Sequence, residues 1–461
     1  MTVSKFLAER VGEFVAGTTV RDVPDEVLDR ARHLILDAVG IAFASTGYPF
    51  SGVAREALVP FGRGEHAVIG MSDRLSARDA ATLNGILIHG MDFDDTHLES
   101  VAHTTSAVLP AVMSAAVETG ASTRELLLAY VLGVEVTARV GIGAVGGMHA
   151  VGFHPTAIGG AFGAAVAVGR LSGLDTTRLA TAQGVVGSMA AGLMEFLEDG
   201  SWTKRLHPGW AAACGITAAS FARAGWVGPP AVYEGRFGLY KTHLATVATR
   251  PDAVAEDLGA TWELLRSAVK PYPVCHLNHA FIDSGLALRA EYQIRTQDIE
   301  EITAAIHPVS RKIVCEPAEA KWEPRSEYDA KFSLPYEVAA ALVRGRFTLA
   351  ELEEDALQDR EILALARKVR VIDDAESAYP DAYSGALEIR LADGRVVHHR
   401  EQINRGHELR PLSNDEIVAK FRENIGRVAD TVTADRVQRA VLSLGDDGPA
   451  VAFVDACRAL G

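Results

Sequence analysis

Apolar residues recur at helical spacing through most of the first 265 positions, and β-branched alternation is scarce there. Pro24-Asp-Glu-Val opens a helix that runs to Gly40, with Asp25 and Glu26 in the first turn, where the positive end of the helix favours carboxylates. Ser76-Ala-Arg-Asp opens a second, expected to reach His89 or beyond. Thr123, read as a cap, opens a third. Residues 157–170 form a fourth, whose Gly159, Gly160 and Gly163 let a neighbouring helix come close, and 175–193 and 211–224 continue the pattern. After Lys270 the period changes. Residues 301–307 and 368–372 alternate like strands, and 386–391 and 396–400 flank Asp393-Gly394, a pair suited to a tight hairpin turn. Helices at 332–343 and 349–356 fall between these strands, and 413–460 is helical again. The expected fold class is mainly α, with helices over 1–268, an α+β domain over 269–404, and further helices over 405–461.

Length and charge narrow the functions available. A chain of 461 residues that is 48% hydrophobic can build two or three domains with a large core. Sixty acidic against 45 basic residues give a formal charge of −15, which argues against nonspecific binding of nucleic acid or of an anionic membrane. An anionic substrate would need a locally positive pocket. Cys214, Cys275, Cys315 and Cys457 are widely spaced and form no CxxC pair, as reduced cytosolic thiols do. The N-terminus lacks the basic stretch and apolar run of a signal peptide, so a cytoplasmic location is expected. No formal charge falls between Arg139 and Arg170, yet the stretch is broken by Pro155, carries His149 and His154, and is mostly Gly and Ala. It reads as tightly packed helix, not a membrane span.

Polar residues gather into four islands. The densest is Met91-Asp-Phe-Asp-Asp-Thr-His97, followed by Glu99 and His103. If helix persists over 84–96, His89, Asp92 and Thr96 share one face and Asp95 and Glu99 another, directing a carboxylate and a hydroxyl inward. Phe153-His-Pro-Thr156 enters the Gly/Ala-rich helix, placing His154 beside its positive end. Lys204, Arg205 and His207 form a compact cationic loop. Lys270, Tyr272, His276 and His279 lie in a proline-stiffened segment at the predicted domain junction. Cations at two distant sites of an acidic chain suit a di- or tricarboxylate.

Two tempting motifs fail. Gly141-Ile-Gly-Ala-Val-Gly146 spells GxGxxG, but it follows a helical pattern and no acid occurs between Glu135 and Asp175 to hold a ribose. Asp92, Asp94 and Asp95 resemble an aspartate-rich magnesium site. The second cluster such a site needs is offered only loosely by Glu195, Glu198 and Asp199, and the islands are rich in His and Lys, so no metal is expected.

Taken in order, the islands resemble the MmgE/PrpD family over nearly the whole chain. The resemblance rests on Met91-Asp-Phe-Asp-Asp-Thr-His97, Phe153-His-Pro-Thr156, Thr203-Lys-Arg-Leu-His-Pro-Gly209, Tyr233-Glu-Gly-Arg-Phe-Gly238, Lys270-Pro-Tyr-Pro-Val-Cys275 and Ala330-Lys-Phe-Ser-Leu-Pro-Tyr336. That family contains 2-methylcitrate dehydratase, cis-aconitate decarboxylase and iminodisuccinate epimerase. The resemblance implies a large helical domain built from both chain ends, a smaller α+β lid, a homodimer, and chemistry on a polycarboxylate without a cofactor. Carried over by motif, Asp92, Thr96, His103, His154, Lys204, Lys270 and Tyr336 would line the site, with His207 and Tyr272 as neighbours. Where many relatives have Pro-Ser after the histidine, this chain has Thr104-Thr105, which bears on substrate identity.

The family activities share the movement of a proton on a carbon next to carboxylates. The expected roles are Lys204 and Lys270 as carboxylate clamps, His103 or His154 as acid/base, Asp92 as the orienter of a histidine, Thr96 as a hydrogen-bonding group, and Tyr336 as a donor from the lid. A lyase is expected, a dehydratase before a decarboxylase, with an epimerase next. A metal-dependent helical lyase and a non-catalytic polycarboxylate-binding protein are the remoter alternatives.

Overall fold

The computed structural model describes residues 5–379 and 381–459. Residues 1–4, 380 and 460–461 lie outside it, and with them the start of the N-terminal segment and the last residue of the helical stretch expected over 413–460. Among the described residues the chain forms 22 α-helices and only short strands, so it is mainly α. It divides into two compact units, Met1–Ala268 with Ser413–Gly461, and Val269–Leu412.

In the first unit, helix Pro155–Leu171 is buried from Pro155 to Gly169 and packs against Thr203–Arg223, Thr123–Gly143 and Thr104–Thr119. Its small residues set the spacing. A Cβ at Gly163 would stand 2.0 Å from Thr137 Oγ1 and 2.4 Å from the Gly133 carbonyl oxygen. Thr123–Gly143 is long and apolar enough to cross a membrane, but its apolar window is entirely buried inside the protein. Gly141-Ile-Gly143 ends that helix and Ala144-Val-Gly146 is the turn after it, so the motif follows a helix and not a strand. The cap is Ser122, not Thr123: Ser122 Oγ accepts from the Glu125 N–H, and Glu125 accepts from the Ser122 N–H.

Helix Thr176–Val186 stops well before 193. The following segment pairs with another piece of chain instead, for the His154 N–H donates to the Gly192 carbonyl and the Met194 N–H to the Gly152 carbonyl, both at 2.9 Å. That exchange of backbone bonds is what fixes His154 in place.

Helix Ala77–His89 lies tightly against Thr203–Arg223 through Gly85 and Gly209. A Cβ on Gly209 would sit 2.1 Å from the Thr82 carbonyl oxygen, a backbone atom that cannot swing aside. Gly209→Ala is therefore expected to cost about 1–3 kcal/mol, read as a lower urea midpoint. Stability equal to the parent would show that the two helices can separate freely.

The C-terminal helix Asn414–Ile425 packs on Asp25–Ser45. Its Lys420 ammonium lies 2.8 Å from Asp37, donates to the Phe93 carbonyl at 2.9 Å, and stands 3.8 Å above the Phe93 ring. The end of the chain thereby anchors the residue between Asp92 and Asp94.

The second unit carries a four-stranded sheet in the order Val369–Asp373, Ile299–Ile306, Gly385–Leu391, Val396–Glu401. The first pair is parallel and the other two antiparallel. Period-two burial puts Ile302, Ala304, Ile306, Leu387, Ile389 and Leu391 inside, against helices that include His279–Tyr292. The hairpin turns at Asp393-Gly394, where Gly394 has φ +87°. Helix Leu334–Arg344 forms near its expected place. The expected helix 349–356 is two short turns, Leu349–Leu352 and Glu354–Leu357, and Arg360–Ala366 is an additional helix capped by Asp359. Residues 405–412 stand with this unit, not with the C-terminal helices. The Val269 N–H donates to the Gly406 carbonyl at 2.9 Å, and Arg405 donates to the Tyr272 hydroxyl at 3.1 Å.

Candidate active site

The aspartate island does not continue the helix before it. Ala77–His89 ends at His89, Asp92 takes a left-handed φ of +52°, and Thr96–His97 forms a short strand against Ser267–Ala268. The helical face expected over 84–96 is therefore absent, and the island is a tight, irregular turn. Positive φ costs a non-glycine residue energy unless its surroundings fix it, and such residues cluster at functional sites.

The turn gives the three aspartates different work. Asp95 caps the next helix, Thr104–Thr119: its Oδ2 accepts from the Thr104 hydroxyl at 2.9 Å and the Thr105 N–H at 3.4 Å. Thr105 Oγ1 also lies 2.7 Å from the Tyr130 hydroxyl. Thr104 and Thr105 are thus fully buried structural groups. Asp94 bridges two histidines with no solvent exposure. It lies 3.0 Å from His89 Nδ1 and 3.3 Å from His103 Nδ1. Asp92, expected to orient a histidine, accepts from Lys204 Nζ at 2.9 Å and lies 3.8 Å from His103 Nε2.

Lys204 and His207 sit in the first two turns of helix Thr203–Arg223, not in a loop. Arg205 donates from Nε to the Gly90 carbonyl at 2.8 Å and ties that helix to the end of the one carrying His89. His154 caps Pro155–Leu171, and its Nδ1 lies 3.0 Å from His207 Nδ1. The His103 N–H donates to Thr156 Oγ1 at 3.0 Å, and Thr96 Oγ1 lies 3.4 Å from His103 Nδ1. Ring centres separated by 4.5 Å (His89–His103), 5.8 Å (His89–His154) and 5.2 Å (His154–His207) complete the cluster. Asp92, Thr96, His103, His154, Lys204 and His207 are therefore brought together. His89 and Asp94 join them, not through the helical face that the spacing predicts for His89 with Asp92 and Thr96, but as a pair that spans a helix end where no periodicity rule reaches.

Electrostatics divides the cluster into support and working face. Burial raises the Asp94 carboxyl, but His89 and His103 outweigh it and hold the group well below its ordinary value, so it is a carboxylate and accepts only. His89 and His103 must then donate from Nδ1, which leaves their lone pairs on Nε2. Burial pushes His89 down to about 4 against the pull of Asp94, and burial, with His89 and Lys204, pushes His207 down to about 4. His154 lies well below its ordinary value for the same first reason, with neighbouring cationic groups adding to it. Solvent reaches the side chains of His103 (9%), Asp92 (16%) and Lys204 (19%) but not His89 or Asp94 (both 0%), so an incoming ligand meets the first three.

These depressed values fix a sign. The unfolded chain binds protons that the folded imidazoles refuse, so their contribution to stability is complete above about pH 6.5 and falls away as pH drops toward 4. Asp37, raised by burial to about 6, and Glu135, raised to about 7, act in the opposite sense and lose stability as pH rises through those values. The imidazole proton resonances of His89 and His207 are expected to titrate near pH 4. Midpoints near 6.5 would refute the buried, neutral assignment.

The second unit holds the remaining candidates. Lys270 is buried. The Tyr272 hydroxyl donates to Asp283 at 2.6 Å, and its ring centre lies 5.5 Å from that of His279, which is 4.7 Å from that of His276. The proton that Tyr336 was expected to offer a substrate is donated to the Glu351 carbonyl at 2.7 Å, and its ring is completely buried.

Known proteins resemble the chain over most of its length. A cis-aconitate decarboxylase-like protein of Aspergillus oryzae is 29% identical over 92% of this chain and 91% of its own length. The cis-aconitate decarboxylase of Aspergillus terreus is 28% identical over 92% and 90%. That of Homo sapiens is 28% identical over 96% and 92%. The MmgE/PrpD N-terminal domain matches residues 9–250 and the MmgE/PrpD C-terminal domain residues 272–446. With both halves matched in order, the chain belongs to the MmgE/PrpD family of lyases.

Proposed function

We propose that this enzyme is a cofactor-independent lyase that acts on a di- or tricarboxylate by moving a proton at a carbon next to a carboxylate. The observation that carries the reading is His103, oriented by Asp94 and facing the Lys204–Asp92 pair. Nε2 of His103 is the acid/base. Lys204 exchanges part of its contact with Asp92 for a substrate carboxylate and stabilises the charge that grows beside it. Thr96 hydrogen-bonds the substrate, and His154 and His207 are assigned to substrate contact beside it. Lys270, Tyr272 and His276 are assigned to carboxylate binding on the family resemblance. Tyr336, with its proton committed to Glu351, is assigned to shaping its own unit.

Between the two lyase reactions, the full-length relatives favour decarboxylation of cis-aconitate over dehydration of 2-methylcitrate. In decarboxylation the C–CO2 bond breaks, the electron pair spreads into the conjugated carboxylate, and protonated His103 supplies the proton to carbon. A panel of cis-aconitate, 2-methylcitrate, citrate and iminodisuccinate followed by NMR in D2O tests this. CO2 release with one deuteron placed on carbon is expected from cis-aconitate. Deuterium exchange with neither CO2 nor water lost would favour the epimerase and overturn the lyase reading.

A homodimer and a cytoplasmic setting belong to the same proposal. Trp202, Leu206 and Trp210 expose 49%, 43% and 49% of their surface at four-residue spacing, along one face of a helix. The four cysteines are free. Sedimentation is expected to give twice the chain mass, with Leu206→Glu shifting it to the monomer. A monomeric parent would refute the dimer.

A further inference from the structure

At the base of the cluster, one ring nitrogen from each of His89, His103 and His154 lies within 4.8 Å of the other two, and all three residues are buried. The Asp94 carboxylate takes the Nδ1–H of His89 at 3.0 Å, which leaves the lone pair on Nε2. That nitrogen is buried and, among the described residues, has no hydrogen-bond partner. A buried polar atom without a partner is unfavourable, and a ligand that binds it recovers the lost interaction. A carboxylate behind an imidazole is also the support that metal-ligating histidines receive, because it fixes the tautomer and raises ligand basicity. The proton transfer proposed above makes no use of the His89 lone pair.

We propose that His89, His103 and His154 form a site for a borderline divalent cation of the zinc class, and that the ion reversibly inhibits the enzyme. Three imidazoles with an open fourth position are a ligand set for such ions, whereas magnesium and calcium want oxygen. Bonds of about 2.1 Å place tetrahedral ligands roughly 3.4 Å apart, so modest ring rotations close the observed set. Asp92 and Asp94 against Lys204 leave the surroundings one charge negative, which admits a cation. An ion there occupies the His103 lone pair and blocks proton transfer. Only this inhibitory half rests on the proposed function.

The test uses the full-length, tag-free protein. Zn2+ is titrated in competition with a chromogenic chelator, the visible spectrum of added Co2+ is recorded, and turnover of cis-aconitate is followed in parallel. One ion per chain, the absorption bands of Co2+ held by imidazoles, and activity that falls with occupancy and returns with EDTA are expected. His154→Gln and His89→Gln should each weaken binding more than tenfold. Should His89→Gln fail to fold, His154→Gln and the Co2+ spectrum of the parent decide. No binding at micromolar Zn2+, or binding unchanged in the folded variants, overturns the site. Activity unaffected or raised by bound Zn2+ overturns the inhibition. A protein that binds the ion through these histidines yet turns over no polycarboxylate overturns the functional reading and leaves the site standing.

Discussion

A His103→Ala enzyme is expected to turn over its polycarboxylate roughly 10²–10⁴-fold more slowly than the parent, the range a positioned acid/base group supplies. The geometry is the reason. His103 is held from three sides: its N–H by Thr156, its Nδ1 by Asp94 and Thr96, and its ring by His89. Nε2 is left facing Asp92 and Lys204, where solvent and ligand arrive. The alanine leaves Lys204 in place, so KM should change less than kcat, and partial recovery with added imidazole is expected from the space created. Urea unfolding checks that the fold survives, since the truncation also removes a buried ring. Parent-like turnover would remove His103 from the mechanism.

Asp94→Asn is expected to lower kcat by up to about 10⁴-fold, as loss of an orienting carboxylate does in a Ser-His-Asp triad. It should also destabilise the protein by about 1–3 kcal/mol. One fully buried carboxylate serves both His89 and His103. Asparagine offers one acceptor and one donor group in its place. One of the two rings must then turn over its tautomer or lose its partner. Since Asp94 is fully buried and its bond to the working face runs through His103, KM should stay near the parent value. A raised KM with kcat unchanged would instead place Asp94 in substrate binding and overturn its role as a positioning residue.

Much of the local structure was legible in the sequence because its causes are local. Asp25 and Glu26 begin a helix, Asp393-Gly394 turns a hairpin, and Gly163 admits a neighbouring helix, each through forces that act within a few residues or on one side of an element. Small errors had local competitors. Ser122 outcompetes Thr123 as a cap because its Oγ reaches the Glu125 N–H, and helix Thr176–Val186 ends early because residues 192–194 find backbone partners at 152–154.

The ordered motifs were enough to reveal the family and to name six of the residues that meet in the first unit. They could not say which of those groups pair. The Lys204–Asp92 contact joins residues 112 apart and His154–His207 joins residues 53 apart. The left-handed turn at Asp92 takes Asp94 off the helical path that a periodic reading assumes. The sequence by itself determined which titratable groups this protein has, where its helices begin, and which family it joins. Only the tertiary structure decided that Asp94 lies against His103 Nδ1 while Asp92 pairs with Lys204, and that Asp95 and Thr104-Thr105 meet at the helix start. The reason is long-range packing: burial by distant segments keeps His89, His154 and His207 neutral, while His89 and His103 hold the Asp94 carboxyl ionised against that same burial.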